Sequence, residues 1–222
     1  MTVKTISIQE NILNANDSLA AQIRTWLTEN RVFAVNMMAS PGAGKTSLIE
    51  RTISGLSGKR RVAIINGDTT AASMDAERAQ KVGALAIHVN TGGNCHLEAF
   101  MVRSALDALD LSGIDLLIVE NVGNLVCPSG WDLGTHRRVL VASIPEGADK
   151  PYKYPSMYSG VSAVVINKVD LLPYVPFDMD YFRKGIEALN PNTAIFPLSC
   201  TTGEGVNAWL EWLERQMAFY AG

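Results

Sequence analysis

The sequence has few cysteines. Only Cys95, Cys127 and Cys200 occur among its 222 residues. An odd and sparse set of this kind does not build a disulfide framework, because such a framework needs several paired cysteines. We therefore expect these thiols either to be buried in the core or to bind a metal ion.

Long apolar runs and a large excess of one charge are also missing. No stretch approaches the roughly 20 uninterrupted apolar residues of a membrane span, and residues 1–4 open no apolar signal segment. We therefore expect a cytoplasmic protein with no membrane partner. Because 19 basic and 22 acidic residues give a net charge of −3, we expect no nucleic-acid partner, and any phosphate must be recognised locally.

The composition is that of a globular protein, with 47% hydrophobic and 18% charged residues. The length favours a single domain over residues 1–222. Seven apolar runs predict strands, and they lie at residues 32–38, 61–66, 84–89, 114–119, 139–143, 161–167 and 194–197.

Between these runs, apolar residues recur every three to four positions, which predicts helices. The predicted helices lie at residues 47–56, 74–82, 96–109, 178–189 and 205–219, after an N-terminal helix at about 17–30 capped by Asp17 or Ser18. Buried strands separated by helices predict an α/β fold, in which helices flank both faces of a mostly parallel central sheet. Ligands of such folds bind at the carboxyl ends of the strands.

A glycine-rich segment follows the first predicted strand. Residues 39–46 read Ala-Ser-Pro-Gly-Ala-Gly-Lys-Thr and precede a predicted helix, which is the context of a P-loop and so of a P-loop NTPase. Ala39 replaces the usual first glycine, but the two glycines still let backbone N–H groups face phosphates. We expect Lys45 to reach the β- and γ-phosphates and Thr46 to bind Mg²⁺. The predicted phosphate-binding residues are Gly42, Ala43, Gly44, Lys45, Thr46 and Ser47.

The base site is predicted from the motif Asn167-Lys168-Val169-Asp170, which ends a predicted strand. The carboxylate of Asp170 can accept hydrogen bonds from both N1–H and the 2-amino group of guanine, whereas adenine does not offer this pair of donors. We expect the Lys168 stem to lie along the ring and Asn167 to brace the loop. After the last strand, a backbone N–H can donate to guanine O6 from Ser199, Cys200 or Thr201. The motif therefore predicts GTP and GDP as ligands, with Cys200 a small buried residue beside the base.

Acidic residues that could serve hydrolysis follow two strands. Glu120 begins Glu-Asn-Val-Gly, where many GTPases have Asp-x-x-Gly, and Gly123 can turn a backbone N–H toward the γ-phosphate. Because Glu120 is one methylene longer than Asp, we expect it to contact Mg²⁺ through water. Asp68 is the first candidate for the catalytic carboxylate. Asp75 is either a second one or a charge at a helix N-terminus. The predicted catalytic set is completed by Lys45.

Cys95, His96 and Cys127 lie in two loops that the strand order of such a sheet can bring together. Two sulfurs and one imidazole suit Zn²⁺ or Ni²⁺. Their spacing matches no zinc-finger pattern, however, and free cysteines are usually buried. Spacing alone therefore leaves buried structural thiols as an alternative.

Several longer segments, together with the P-loop and Asn-Lys-x-Asp, resemble the hydrogenase nickel-incorporation GTPases, a family of hydrogenase maturation factors among the P-loop metallochaperones. These segments are residues 91–97 (Thr-Gly-Gly-Asn-Cys-His-Leu), 120–128 (Glu-Asn-Val-Gly-Asn-Leu-Val-Cys-Pro), 132–134 (Asp-Leu-Gly) and 149–155 (Asp-Lys-Pro-Tyr-Lys-Tyr-Pro). The resemblance extends from about residue 12 onward. Urease nickel GTPases share the P-loop but lack the Asn-Leu-Val-Cys-Pro segment.

The resemblance implies slow hydrolysis of GTP to GDP and phosphate, coupled to nickel delivery to hydrogenase. It implies a Ni²⁺ or Zn²⁺ site formed by Cys95, His96 and Cys127 at the interface of a GTP-dependent homodimer. It also implies two partners, an accessory nickel metallochaperone and the hydrogenase large subunit. Two alternatives stay open: a metallochaperone GTPase that serves another metalloenzyme, and a GTP-binding module with structural cysteines.

The chain also departs from its relatives. It has neither the N-terminal cysteine motif nor the histidine-rich tract with which many of them bind nickel, and Phe100 and Ser104 stand where some have further histidines. We therefore expect no high-affinity nickel store. His88, in a predicted strand, is expected to be structural, and His136 is a weaker candidate for an extra ligand.

Overall fold

The structure is a computed structural model that describes residues 8–70 and 73–221. Ala71 and Ala72, which lie between the two predicted catalytic candidates Asp68 and Asp75, are outside the described residues. Within the described part, seven strands form one sheet in the order β3-β2-β4-β1-β5-β6-β7, and each neighbouring pair is parallel. The strands are β1 (Phe33–Ala39), β2 (Val62–Asp68), β3 (Leu85–Asn90), β4 (Leu116–Glu120), β5 (Arg137–Ser143), β6 (Ala163–Asn167) and β7 (Ala194–Pro197).

All seven predicted strands are present, and their ends differ from the prediction by at most two residues. Every residue of β1, β4 and β6 is buried, which explains why these strands read as continuous apolar runs. The edge strand β3 is only partly covered and ends in exposed residues.

Eight α-helices complete the described chain: α1 (Ile8–Glu29), α2 (Lys45–Leu56), α3 (Met74–Lys81), α4 (Ala99–Asp107), α5 (Lys150–Lys153), α6 (Pro155–Ser159), α7 (Met179–Leu189) and α8 (Val206–Ala221). One sheet face packs against α2, α3 and α8. The other face packs against α1 and α4 at one end and against α6 and α7 at the other. The α/β fold with helices on both faces is therefore confirmed. Among the described helices, none is both long and apolar enough to cross a bilayer.

The N-terminal helix is longer than predicted, and the predicted cap is wrong. Helix α1 begins at Ile8, so Asp17 and Ser18 lie inside it, and the Ser18 hydroxyl donates to the Asn14 carbonyl one turn earlier. Residues 11–15 of this helix are exposed apart from the half-buried Leu13, so they do not extend the fully buried apolar stripe. The apolar stripe that the sequence revealed is the buried face farther along, at Ala20, Ile23 and Leu27.

The strand order explains which loops meet. Because β4 lies between β2 and β1, the carboxyl ends of these three strands are neighbours. They carry Asp68 at the end of β2, Glu120 at the end of β4 and the P-loop after β1. Asn167 ends β6 at the same edge, which is where parallel sheets bind ligands.

Candidate nucleotide and metal site

The P-loop has the backbone that phosphate binding requires. Gly42 and Gly44 have φ values of 78° and 95°, in the left-handed region that favours glycine. A Cβ on Gly44 would also collide with the side-chain amide of Asn167. No side chain of the described residues caps the start of α2 at Lys45, so the first N–H groups of this helix face the loop opening. Such N–H groups and the helix dipole attract anions.

Glu120 lies at the centre of a buried polar cluster beside the P-loop. Its Oε1 accepts a hydrogen bond from the Thr46 hydroxyl at 2.9 Å and lies 3.4 Å from Lys45 Nζ. Its Oε2 accepts from the Asn66 amide at 2.9 Å. Glu120 is only 2% exposed, and these donors satisfy both carboxylate oxygens. The residues predicted for Mg²⁺ and for the terminal phosphates therefore lie in contact with one another.

A cleft of about 550 Å³ opens in front of this cluster, a volume typical of small-molecule sites. Asp68 and Asp75 both line it, together with Gly123 and Lys168. Burial opposes ionisation of Asp68, but hydrogen bonds from the backbone and hydroxyl groups of Thr69 and Thr70 outweigh it and lower the pKa of this carboxyl. Asp68 is therefore an anion at neutral pH, as a residue that positions an attacking water requires.

Asp75 has the helix N-terminal position that one of its two predicted descriptions requires. It lies in the first turn of α3, where a carboxylate is favoured by the helix dipole, and it pairs with Arg78 at 3.5 Å. It also faces the cleft. Arg78 is itself bound to Glu50 at 2.8 Å, so this cation is fixed by α2 as well as by Asp75.

The loop after β4 lies directly against the P-loop. A Cβ on Gly123 would be 3.3 Å from Pro41 Cα, so the glycine permits the close approach. The next backbone N–H, that of Asn124, donates to the carbonyl of Ala39 at 2.8 Å. Gly123 therefore lies beside the P-loop and lines the cleft, as its expected contact with a γ-phosphate requires.

Asn167 and Lys168 connect the predicted base site to the P-loop. The Asn167 amide donates to the Ala43 carbonyl at 3.0 Å, and its Oδ1 accepts from the backbone N–H groups of Lys168 and Cys200. Lys168, in the left-handed region at φ 64°, extends its ammonium to the Gly42 carbonyl at 2.7 Å. Asn167 therefore braces three segments at once, and the Lys168 stem crosses the mouth of the P-loop.

Asp170 has the feature expected of a base-reading carboxylate. Its Oδ1 is buried and has no hydrogen-bond partner among the described residues. Leaving a buried acceptor unpaired is unfavourable, so such an atom calls for a ligand donor. Guanine offers two adjacent donors that fit this carboxylate.

The segment expected to donate to guanine O6 already has acceptors for its backbone N–H groups. The backbone N–H groups of Ser199, Cys200 and Thr201 already donate to Glu204 O, Asn167 Oδ1 and Ser199 Oγ. Donation to O6 therefore requires one of these hydrogen bonds to be shared or exchanged. The Cys200 side chain packs against the core, and burial raises its pKa to about 11, which suits a structural thiol rather than a metal ligand.

Cys95, His96 and Cys127 come together in the structure. One potential ligand atom from each residue lies within 4.8 Å of the other two. Cys127 begins a 3-10 turn, Cys127–Gly130, whereas Cys95 and His96 lie in the turn before α4. The prediction that His96 begins that helix is wrong, because α4 starts only at Ala99. Two sulfurs and one imidazole at this separation fit Zn²⁺ or Ni²⁺.

The pKa shifts of Cys95 and His96 indicate the protonation states that a metal ion would meet at this cluster. A hydrogen bond with Cys127, reinforced by burial, raises the pKa of the Cys95 thiol. Burial lowers the pKa of His96, against the opposing effect of Glu98, so the imidazole is neutral at pH 7 and can ligate. Metal binding would therefore release thiol protons.

The His96 ring is held in place by a residue that the sequence analysis did not single out. Trp131 stacks on it, with ring centroids 4.6 Å apart and an interplanar angle of 22°. His96 Nδ1 lies 3.7 Å from Cys95 Sγ. The other ring nitrogen, Nε2, lies 3.7 Å from Glu98 Oε1, which is beyond hydrogen-bond distance. Nδ1 is thus the nitrogen that faces the cysteine.

Two asparagines that sequence reasoning missed hold the metal loops. Asn124 Oδ1 accepts from the backbone N–H groups of Val126 and Cys127, and its amide lies 3.5 Å from Cys127 Sγ. On α1, Asn16 accepts from the Ala99 N–H and donates to the Asp132 carbonyl, each at 2.8 Å. The partners of Asn124 lie within three residues, whereas those of Asn16 are 83 and 116 positions away, so no local pattern reveals the role of Asn16.

The other histidines lie outside this cluster. His136, predicted as a weaker extra ligand, is not one: its Nδ1 accepts from the Ala34 N–H at 2.9 Å and its Nε2 lies 3.0 Å from the Thr28 hydroxyl. Both nitrogens are thus used within the fold, and burial lowers the pKa of His136 to about 4. His88 contacts Asn66 Oδ1 and the Thr70 carbonyl and is structural, as expected.

Comparison with known proteins gives consistent matches over most of the chain. Residues 33–197 match the nucleotide-binding domain of the CobW/HypB/UreG family. The hydrogenase maturation factor HypB of Azotobacter vinelandii is 43% identical over 211 residues, which cover 95% of this chain and 69% of that protein. The crystal structure of HypB from Archaeoglobus fulgidus matches with a TM-score of 0.85 and 36% identity, covering 92% of this chain and 99% of that one. HypB from Helicobacter pylori, solved in complex with nickel, matches with a TM-score of 0.88 and 34% identity, covering 94% and 98%.

Proposed function

The chain belongs to the CobW/HypB/UreG family, and from that membership we propose that it hydrolyses GTP and couples its nucleotide state to nickel delivery during the maturation of nickel-iron hydrogenase. The observation that carries the proposal is a single loop, residues 120–127. It begins with Glu120 at the P-loop, passes Gly123 beside Pro41 and reaches the thiol of Cys127. A movement of this loop on loss of the γ-phosphate would displace one metal ligand.

Recognition of guanine rests on Asp170. The buried Oδ1 atom without a partner among the described residues is supplied with a donor when guanine N1 and the 2-amino group approach. Adenine would leave the carboxylate facing its C2–H and N1 lone pair, which is unfavourable. We therefore propose GTP and GDP, not ATP and ADP, as the physiological ligands.

Hydrolysis is assigned to the residues that line the cleft. Lys45 and the N–H groups of the P-loop neutralise the phosphates, and Thr46 and Glu120 would hold Mg²⁺, Glu120 through water because it already contacts Thr46. When bound, Mg²⁺ would neutralise the negative charge that builds up on the phosphate oxygens during hydrolysis. Asp68, an ionised carboxylate at the end of β2, orients the attacking water, and Asp75 is the second candidate.

The nickel ion is the cargo of this proposal. Three protein donors leave one position of a tetrahedral site open, and that position can be filled by water or by a second copy of the chain. We propose a GTP-dependent homodimer that completes the site. An accessory nickel metallochaperone and the hydrogenase large subunit would be the donor and the acceptor of the ion. Zn²⁺ suits the same donor set and competes with Ni²⁺.

A paired thiol experiment tests the proposal. The double substitution Cys95→Ser and Cys127→Ser should abolish stoichiometric Ni²⁺ binding in equilibrium dialysis, whereas GTP hydrolysis with Mg²⁺ and without Ni²⁺ should persist. Cys200→Ser removes a thiol outside the cluster and should leave Ni²⁺ binding intact. If the double variant binds as much Ni²⁺ as the unmodified protein, the cysteines are structural and the metal assignment is wrong.

The biological step needs a cellular test. Deletion of the gene should abolish the activity of nickel-iron hydrogenase, and the unmodified chain should restore it better than the Cys127→Ser variant. Normal hydrogenase activity in the deletion strain, together with loss of another nickel or cobalamin enzyme, would assign the protein to that enzyme instead.

A further inference from the structure

Asn121 joins the nucleotide loop to the other half of the metal site. It follows Glu120 at the end of β4, and its side chain is fully buried. Its Oδ1 accepts two hydrogen bonds, from the backbone N–H of Val122 at 2.9 Å and from the backbone N–H of Leu97 at 3.0 Å. Val122 belongs to the nucleotide loop, whereas Leu97 directly follows the ligand His96. One carboxamide oxygen is therefore shared by both loops.

The orientation of this amide is fixed by β1. Asn121 Nδ2 donates to Asn36 Oδ1 at 3.3 Å, and the backbone N–H of Asn121 donates to the Met37 carbonyl at 2.9 Å. Because Nδ2 is used by Asn36, the oxygen must face the two loops. Asn121 is thus a fixed point on the sheet from which the loop at Val122 departs.

Leu97 contacts residues at the ends of both β4 and β2. It is completely buried, and its side chain packs so closely over β2 that a Cβ on Gly67 would lie 2.6 Å from it. Gly67 directly precedes Asp68, and Asn121 directly follows Glu120. Leu97 therefore contacts a sequence neighbour of each of these two acidic residues. Any shift of the Leu97 peptide moves His96, because the two residues share that peptide.

We propose that Asn121 is a positioning residue that transmits the nucleotide state to the Cys95 and His96 half of the metal site; this inference rests on the coupling proposed above. When the loop moves so that the Gly123 N–H meets a γ-phosphate, the preceding peptide moves with it and the Val122 N–H leaves the Asn121 oxygen, which then binds Leu97 alone. After phosphate release the oxygen is shared again. The Cys127 half moves with the same loop through Asn124, so both halves change together.

The test compares the ratio of Ni²⁺ affinities in the states bound to GTP analogue and to GDP. Asn121→Ala removes the shared oxygen, and Asn121→Asp keeps it as the conservative control. Asn16→Ala is the matched structural control, because Asn16 anchors the same metal loop two residues later, at the Ala99 N–H. No hydrogen bond among the described residues links Asn16 to residues 120–124.

A purely structural role would lower both affinities alike and leave their ratio unchanged. We expect Asn121→Ala to bring the ratio at least about fivefold closer to one, the equivalent of one lost hydrogen bond, while Asn121→Asp retains most of it. Asn16→Ala should weaken Ni²⁺ binding equally in both states. An Asn121→Ala ratio equal to that of the unmodified protein, or an equal collapse in Asn16→Ala, overturns the inference.

A second measurement needs no variant. In the unmodified, nickel-free protein with Mg²⁺ present, the NMR resonance of the Leu97 amide should differ between the GDP and GTP-analogue states, because its acceptor is shared in one and not in the other. Identical Leu97 resonances overturn the inference even if Asn121→Ala does not fold. A ratio of one in the unmodified protein is a different result: it refutes the coupling itself, and the role of Asn121 falls with it.

Discussion

Replacing Asp170 with Asn should weaken GTP binding without destabilising the nucleotide-free protein. The carboxylate has a buried oxygen with no partner among the described residues, so the folded chain gains nothing there from the negative charge. Asn is neutral and nearly the same size. We therefore expect the free energy of unfolding to stay the same or to rise, which is the opposite of what most substitutions of a buried polar group produce.

The effect on binding follows from the hydrogen bonds that guanine offers. Asp170 can accept from two donors, and a hydrogen bond to a charged group contributes about 1.5–3 kcal/mol. Asn keeps one neutral acceptor and replaces the other with a donor that guanine cannot match. A loss of about 2–4 kcal/mol, or about 30- to 700-fold in Kd, is expected. Xanthine carries an oxygen where guanine has the 2-amino group, so xanthosine nucleotides should bind better to the variant.

Displacement of fluorescent GDP and xanthosine diphosphate measures the binding change, and urea unfolding without nucleotide measures the stability. Asp180→Asn is the control, because it removes the same charge from an exposed position on α7. It should change neither quantity by much. Unchanged GDP affinity in Asp170→Asn, combined with a loss of stability, would show that Asp170 is a structural residue and that the base site is elsewhere.

Three further substitutions have distinct expected results. Lys45→Ala should abolish tight GTP binding, and undiminished hydrolysis would exclude the P-loop as the active site. Because Lys45 is mostly buried 3.4 Å from Glu120, the substitution should also lower the free energy of unfolding by about 1–3 kcal/mol in urea titrations. His136→Gln should remove a loss of stability that the unmodified protein shows as the pH falls from 6.5 to about 4. The neutral ring accepts from the Ala34 N–H, so the unfolded state takes up the proton at a higher pH than the folded state, and the free energy of unfolding falls by about 3 kcal/mol. If both proteins lose stability equally over that range, His136 is not the acid-sensitive group. Trp131→Ala should weaken Ni²⁺ binding about two- to tenfold in calorimetry by releasing the His96 ring, and unchanged affinity would show that the stacking is incidental.

The sequence alone was sufficient for the central sheet because buried parallel strands are continuous apolar runs. It also indicated the P-loop, Asn167 and Asp170, since these motifs lie at predictable strand ends. Local signals failed where the chain is exposed. In α1, residues 11–15 are largely exposed and do not extend the buried apolar stripe, and the helix was predicted to begin nine residues too late.

Polar residues with distant partners could not be assigned from sequence. Asn16 binds a residue 83 positions away, and Asn121 joins Leu97 across 24 positions. Trp131 contacts His96 only because the two loops meet above the sheet. The sequence leaves His136 open as a ligand, whereas in the fold its two ring nitrogens face Ala34 and Thr28. Each of these roles depends on tertiary packing, which leaves no periodic or spacing pattern in the sequence.

The central claim is that the nucleotide state and the metal site are coupled through residues 120–127, and calorimetry of Ni²⁺ binding tests it most directly. Titrations of the protein loaded with GDP and with a GTP analogue, each with the mass measured by light scattering, supply both quantities needed. The account predicts Ni²⁺ affinities that differ by about 5- to 150-fold, and a dimer favoured by the GTP analogue. Identical affinities and identical masses in the two states would contradict it and would leave two independent sites on one chain.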